Sequence, residues 1–138
     1  EAPKLTAKSA SLLQDVELHG YWRSTASWRV RIALSHHGVD YKYTSVNLLT
    51  GEQKSAEFEQ VSSMAQVPTL SFNAAGRRQN LTQSLAIIEF LDSVYTDSPP
   101  LVPPADGTPE GTLRRARVME IAEIVNSGMQ PLQNRPML

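Results

Sequence analysis

Prolines are concentrated in one short stretch of this 138-residue chain. Five of the nine prolines fall within residues 97–109, whose sequence is DSPPLVPPADGTP. Proline lacks a backbone N–H and clashes with the preceding turn, so neither a helix nor an internal strand continues through such a stretch. We therefore predict a stiff linker at residues 97–107, with one folded unit before it and another after it.

Strand-like and helix-like patterns alternate before the linker. Apolar residues there follow the two-residue period of a strand or the helical period, and Gly38 marks the end of the first helix. The predicted strands cover residues 16–21, 40–46, 67–72 and 77–81, and the predicted helices cover residues 27–37, 56–60 and 82–95. This order favours an α/β fold with a thioredoxin-like mixed sheet and flanking helices over residues 16–96. Residues 1–15 are polar and aperiodic and are predicted to be a loose lead-in.

One amphipathic helix is predicted after the linker. Thr108 and Pro109 match an N-cap followed by proline at the first helical position. Apolar residues then recur at helical spacing as far as Asn126 or beyond. The chain offers no second helix to cover that apolar face. We therefore expect residues 108–138 to be the first helix of an all-α C-terminal domain that is otherwise absent.

Charge and composition exclude several functional classes. The 13 basic and 14 acidic residues give a net charge of −1, which argues against a broad surface for nucleic acid or anionic membrane. A membrane-spanning helix needs about 20 consecutive apolar residues, and no run in this sequence is that long. Residues 1–11 lack the apolar core of a signal peptide. We expect a cytoplasmic protein. The absence of cysteine excludes disulfides, thiolate metal sites and a cysteine nucleophile, and we predict no metal centre.

Hydroxyl side chains cluster where the first strand meets the first helix. Helix N-termini carry amides without intrahelical partners, so hydroxyls beside them favour an anion site. Ordinary helix capping is the alternative, and this segment alone favours it because such caps are common. A serine hydrolase is disfavoured because no G-x-S-x-G motif is present, and the adjacent His36 and His37 are expected at the surface. The segment consists of Ser24, Thr25, Ala26, Ser27, Trp28 and Arg29.

Two further segments suggest ligand contacts. If the bond between Val67 and Pro68 is cis, the backbone N–H and C=O of Val67 would face a peptide-like ligand. An ordinary trans edge proline is the alternative, since only about 5–6% of such bonds are cis. Gln83 and Ser84, at the start of the long helix, would form a second anion site, with a simple helix cap as the alternative.

Four segments together resemble the zeta class of glutathione transferases, the class that includes maleylacetoacetate isomerase. They are residues 24–34 (STASWRVRIAL), 67–70 (VPTL), 83–91 (QSLAIIEFL) and 130–134 (QPLQN). The resemblance covers residues 16–138. The class motif SSCSWRVRIAL differs from this chain at two positions: Thr25 replaces serine and keeps a hydroxyl, whereas Ala26 replaces cysteine.

The resemblance implies a glutathione-binding domain in a homodimeric enzyme. It assigns Ser24 and Thr25 to catalysis, through contact with the thiolate of glutathione. It also implies that the main chain of Val67 binds the cysteinyl part of glutathione, and that Gln83 and Ser84 bind its γ-glutamyl carboxylate. The glutathione-binding residues that it implies are Ser24, Thr25, Ala26, Ser27, Trp28, Arg29, Gln53 near the glycyl end, Val67, Gln83 and Ser84, with Gln130 and Asn134 from the second domain.

The activity that the resemblance implies is the isomerisation of maleylacetoacetate to fumarylacetoacetate in tyrosine and phenylalanine catabolism. The glutathione thiolate would add to the cis double bond, the new single bond would rotate, and the thiolate would leave. Transfer to small electrophiles such as α-haloacids is also implied. Arg23 and Arg29 are candidates for binding the substrate's carboxylates, with solvent exposure or structural pairing as the alternative.

The sequence bears on two other functional classes. A non-catalytic glutathione-binding or interaction module is the alternative, because the C-terminal domain is missing. A thiol–disulfide oxidoreductase on the same fold needs a cysteine that the chain lacks.

Overall fold

The computed structural model describes residues 13–133, which divide into two units between Pro99 and Pro100. The boundary lies within the proline-rich segment. The elements of the first unit are β1 (Gln14–Gly20), α1 (Thr25–His36), β2 (Lys42–Ser45), a 3-10 turn (Glu52–Lys54), α2 (Ala56–Glu59), β3 (Thr69–Ala74), β4 (Arg77–Thr82) and α3 (Ser84–Val94). The second unit contains α4 (Pro109–Glu123), a π-helical turn (Ile124–Met129) and α5 (Gln130–Gln133).

The four strands form one mixed sheet in the order β2-β1-β3-β4. β1 pairs with β2 in parallel, and the β1–β3 and β3–β4 pairs are antiparallel. The parallel pair needs the α1 crossover, whereas the short turn at Gly76 can join antiparallel strands only. The predicted thioredoxin-like mixed sheet with flanking helices is confirmed.

One apolar core lies between the sheet and the helices α1 and α3. Leu18 of β1 and Leu70 of β3, the two inner strands, are fully buried, as are Leu34 of α1 and Leu91 of α3. Side chains alternate along a strand, so Val16 and Leu18 share the face that meets these helices. The fold therefore has helices packed on the core face of the sheet, with a short turn between β1 and α1 and one residue, Gln83, between β4 and α3.

The other side chains of β1 form a polar cluster. Glu17 Oε1 lies 3.1 Å from Lys42 Nζ, Glu17 Oε2 lies 3.0 Å from Arg78 Nη2, and Glu17 Oε1 accepts a hydrogen bond from the Thr44 hydroxyl. The Thr44 hydrogen bond holds the pKa of Glu17 below its ordinary value. Burial lowers the pKa of the His19 imidazole, which therefore favours the neutral form in the folded chain.

We expect acidification to destabilise the fold through His19. Its ordinary pKa is about 6.5, so below that pH the unfolded chain takes up a proton before the folded chain does. As the pH decreases, the free energy of unfolding therefore decreases by at most about 1.4 kcal/mol per pH unit. This decrease ends when the pH reaches the lowered pKa of His19 in the folded chain. Thermal melts across this range should show a weaker slope for His19→Gln. An identical slope in the variant would contradict the assignment.

Several element boundaries differ from those predicted. β1 begins at Gln14, two residues inside the predicted lead-in, because Gln14 pairs with Asn73 of β3. α1 begins at Thr25, two residues earlier than predicted. Thr82 was expected in a helix but belongs to β4, where it pairs with Thr69. These boundaries depend on cross-strand partners that local patterns do not contain.

The second unit begins with the predicted cap. Thr108 Oγ1 accepts a hydrogen bond from the N–H of Gly111 at 3.0 Å, and Pro109 is the first helical residue. The helical path continues beyond Asn126 through the π-helical turn to Gln133. Its exposed apolar side chains are Leu113, Ile121, Ile124, Val125, Met129 and Leu132. Within residues 13–133, no helix is both long enough and apolar enough to span a bilayer.

Candidate active site

Ser24 is the N-cap of α1, in the turn that follows β1. Its Oγ accepts a hydrogen bond from the N–H of Ser27 at 3.1 Å, and its own N–H donates to the carbonyl of Tyr21 at 2.9 Å. Because the amide supplies the proton of the capping bond, the Ser24 hydroxyl keeps its own proton for another acceptor. Capping and ligand binding, which were alternatives from the sequence, are therefore compatible at this half-buried residue.

The three residues after Ser24 have different environments. Thr25 is exposed and Ala26 is half-buried, while Ser27 is fully buried. The Ser27 hydroxyl accepts the N–H of Tyr21 at 3.4 Å, which links the end of β1 to the first turn of α1. A Cβ on Gly20 would lie 3.2 Å from that hydroxyl oxygen, so glycine permits this close approach. Ser27 therefore stabilises the turn that presents Ser24 and Thr25.

The peptide bond between Val67 and Pro68 is cis. This is the isomer on which a main-chain contact at Val67 depends. Pro68 is buried and Val67 is half-buried. Within residues 13–133, neither the N–H nor the C=O of Val67 makes a hydrogen bond to protein. Both groups are therefore available to a peptide-like ligand.

Gln83 and Ser84 form the junction between β4 and α3. Gln83 has φ +70°, the left-handed side of the backbone map, and its side chain makes no capping hydrogen bond. Strained backbone of this kind often accompanies functional sites. Ser84 is only 4% exposed, and its Oγ accepts a hydrogen bond from Arg29 Nη1 at 2.9 Å. Arg29 of α1 thereby connects the two predicted anion sites.

Gln53 lies in the 3-10 turn between β2 and α2 and is buried. No hydrogen-bond donor within the described part of the chain reaches its Oε1. Burying an amide oxygen without a hydrogen-bond donor costs free energy, so a ligand N–H that donates to this oxygen would be stabilising. This observation supports Gln53, whose assignment came from the resemblance alone.

Residues 14–93 match the family described as glutathione S-transferase, N-terminal domain. The chain belongs to this family.

Relatives of this glutathione transferase chain include isomerases. It is 42% identical to the maleylacetoacetate isomerase of Rattus norvegicus, over 88% of this chain and 52% of that protein. It is also 42% identical to a probable maleylacetoacetate isomerase of Caenorhabditis elegans, over 88% of this chain and 51% of that protein. The chain thus spans about half the length of the curated relatives it matches.

Solved structures show the same similarity. Maleylacetoacetate isomerase from Anaeromyxobacter dehalogenans 2CP-1, with bound GSH in its active site, matches with a TM-score of 0.72 and 41% identity, over 91% of this chain and 55% of that one. A maleyl pyruvate isomerase, a bacterial zeta-class glutathione S-transferase, matches with a TM-score of 0.70 and 37% identity, over 88% and 52%. The resemblance to the zeta class is confirmed.

Trp28 and Arg23, two further residues named from the sequence, contact other side chains or backbone groups of the first unit. The Trp28 indole is 46% exposed, and its N–H donates to the carbonyl of Trp22 at 2.8 Å. The guanidinium of Arg31 lies 4.0 Å from the centroid of the Trp28 ring, and that of Arg23 lies 5.6 Å from the Trp22 ring. A glutathione contact for Trp28 stays a prediction.

The two residues assigned to the second domain follow the first unit in the sequence. Gln130 is the first residue of α5, in the second unit. Asn134 lies outside the described residues. Their roles at the transferase site stay predictions.

The surface prediction for His37 is wrong. His37 is 4% exposed: its Nε2 lies 2.8 Å from Asp92 Oδ1, its Nδ1 lies 2.5 Å from Ser98 Oγ, and its ring stacks on Tyr95. The sequence contained a signal, because His37 falls seven residues after the buried Val30 on the same helical face.

His37 lies between a serine and an aspartate, Ser98 and Asp92, as the histidine of a hydrolase triad does. The backbone donor that such a triad uses to stabilise an oxyanion is missing next to Ser98. The residue after Ser98 is Pro99, which has no N–H to stabilise an oxyanion. We interpret the three side chains as a clamp that joins α1 and α3 to the start of the linker. Among the described residues, no cluster of three or more potential metal ligands occurs.

Proposed function

We propose that this chain is the glutathione-binding part of a zeta-class transferase that isomerises maleylacetoacetate to fumarylacetoacetate. The observation that carries the proposal is the capping geometry of Ser24, whose hydroxyl retains its proton for a thiolate. The similarity to maleylacetoacetate isomerases supports the reaction. Transfer to small electrophiles such as α-haloacids belongs to the same proposal, because it uses the same thiolate.

The residues of the first unit fit glutathione. The N-terminus of α3, with Ser84, suits the γ-glutamyl carboxylate, since unpaired helix amides and a hydroxyl favour an anion. The unpaired N–H and C=O of Val67 suit the peptide part. The unsatisfied Gln53 Oε1 suits an N–H near the glycyl end.

The chemistry that glutathione supplies when bound is a nucleophilic thiol. A free thiol has a pKa of about 8.5, so little of it is ionised at neutral pH. Ser24 would favour the anion by donating a hydrogen bond to the sulfur, and the N-terminus of α1 adds a favourable dipole. Thr25, exposed beside it, would supply a second hydroxyl. Ala26 removes a cysteine side chain without removing either donor.

The organisation of the whole enzyme is also proposed. We propose a domain pattern of lead-in (1–15), glutathione-binding domain (16–96), linker (97–107) and the start of a helical domain (108–138). Gln130 and Asn134 would line the site from that second domain. The zeta-class resemblance supports a cytoplasmic homodimer that acts on a dicarboxylate.

Turnover of maleylacetoacetate tests the proposal. The 138-residue chain is assayed with and without glutathione, and calorimetry measures glutathione binding in parallel. Isomerisation only when glutathione is present supports the enzyme. Binding without turnover would favour a non-catalytic glutathione-binding module, and no binding by the folded chain would overturn the site.

We expect Ser84→Ala to weaken glutathione binding by about tenfold or more, because a hydrogen bond to a charged group contributes about 1.5–3 kcal/mol. Calorimetry on the 138-residue chain gives the affinity. Ser93→Ala is the matched control, since Ser93 lies on the same helix but is exposed and bonds the Glu89 carbonyl. Equal affinities for the wild type and Ser84→Ala would contradict the role of Ser84.

A further inference from the structure

Arg29 and Ser84 form a contact between two helices that are far apart in sequence. Arg29 lies in α1, five residues after Ser24, and Ser84 is the first residue of α3. Arg29 Nη1 lies 2.9 Å from Ser84 Oγ. Because Ser84 is only 4% exposed, water has little access to compete for this hydrogen bond.

The chemistry of the two groups sets the direction of the hydrogen bond. A guanidinium has donors and no acceptor, so the Ser84 oxygen must accept. The hydroxyl proton of Ser84 therefore points away from Arg29 and is available to another acceptor. The guanidinium also places a permanent positive charge beside the helix N-terminus, where the dipole already favours an anion.

The first turn of α3 is suited to an external anion. It contains no acidic side chain, so no carboxylate of that turn occupies its amides. Gln83 makes no capping hydrogen bond with its side chain. Among the described residues, the hydroxyl of Ser84 is bonded by the Arg29 guanidinium, which donates to its oxygen and so strengthens its capacity to donate in turn.

We infer that Arg29 is a positioning residue for the γ-glutamyl carboxylate: it orients the Ser84 hydroxyl toward that carboxylate and raises the positive potential around it. This inference rests on the proposed function. It gives Arg29 a task at the coenzyme, distinct from binding the substrate's carboxylates. Through Arg29, the carboxylate site at Ser84 contacts α1, the helix whose N-terminus presents Ser24. The thiol end and the carboxylate end of the site are therefore both positioned by α1.

A double-mutant cycle on the 138-residue chain tests the inference. Calorimetry compares glutathione binding by the wild type, Arg29→Gln, Ser84→Ala and the double variant. We expect Arg29→Gln to lose about tenfold or more in affinity, and to lose much less when Ser84 is already alanine. A purely structural role for Arg29 would give the same loss in both backgrounds, which would overturn the inference.

A conservative variant and a control complete the test. Arg29→Lys keeps the charge and loses the planar donor set, so we expect a smaller loss that also shrinks in the Ser84→Ala background. This variant answers the question if Arg29→Gln does not fold. Arg77→Gln is the control, because Arg77 is exposed at the opposite end of β4.

The outcomes separate the inference from the proposed function. If the wild type binds glutathione and both Arg29 variants bind it equally well, the inference fails and the proposed function stands. If the folded wild type does not bind glutathione, the proposed function and the inference fail together. Coupling between Arg29 and Ser84 in the cycle supports both.

Discussion

Replacing Ser24 with alanine should raise the pKa of the bound glutathione thiol and slow turnover at neutral pH by about 100-fold or more, the usual effect of removing one donor to a reacting anion. The Ser24 hydroxyl accepts the N–H of Ser27 and retains its own proton, so alanine removes the donor to sulfur. The pH–rate profile of glutathione-dependent turnover measures the shift. The acidic limb should move to higher pH.

Ser55→Ala controls for the loss of a helix cap. Ser55 is the N-cap of α2 and accepts the N–H of Phe58 at 3.2 Å, as Ser24 does for α1. Each change should cost about 1 kcal/mol of stability through the lost cap. Only Ser24→Ala should move the pH–rate profile. An unchanged profile in Ser24→Ala would show that another group stabilises the thiolate.

Leu18→Ala should destabilise the first unit by about 2–5 kcal/mol. Leu18 is fully buried in the inner strand β1, between Tyr43 of β2 and Leu70 of β3. Alanine would leave a cavity under both packed helices. Both tryptophans of the chain, Trp22 and Trp28, lie in this unit, so urea unfolding followed by tryptophan fluorescence reports on it directly.

The control for Leu18→Ala is Leu49→Ala. Leu49 is 72% exposed in the loop after β2, so its truncation should change the unfolding free energy by no more than about 0.5 kcal/mol. If the two variants unfolded at the same urea concentration, the core would not lie where the structure places it.

The order of elements was predictable from the sequence because each element carries its own pattern. Val16 and Leu18 alternate with polar neighbours in β1, and Val30, Ala33 and Leu34 share one helical face in α1. The β4–α3 boundary was not predictable in the same way. Thr82 suits a helix start locally, but its backbone pairs with Thr69 of β3, a partner 13 residues away.

The candidate site could be predicted in its parts but not in its connections. Ser24, Val67 and Ser84 were named from the local sequence and the zeta-class resemblance. The contact of Arg29 with Ser84 could not be predicted, because it spans 55 residues and depends on how α1 and α3 pack on one sheet. The unsatisfied oxygen of Gln53 likewise follows from burial, which a local pattern in a polar loop does not indicate.

The sequence by itself determined that any thiol chemistry of this chain must come from a ligand, since the chain has no cysteine. It also determined that the proline-rich segment separates two folded units and that strands and helices alternate before it. Both features are local, because proline geometry and side-chain periodicity act over a few residues. Only the tertiary structure decided which donor meets which acceptor. His37 contacts Asp92 and Arg29 contacts Ser84 because the sheet brings α1 and α3 side by side, and that proximity is a property of the packed fold.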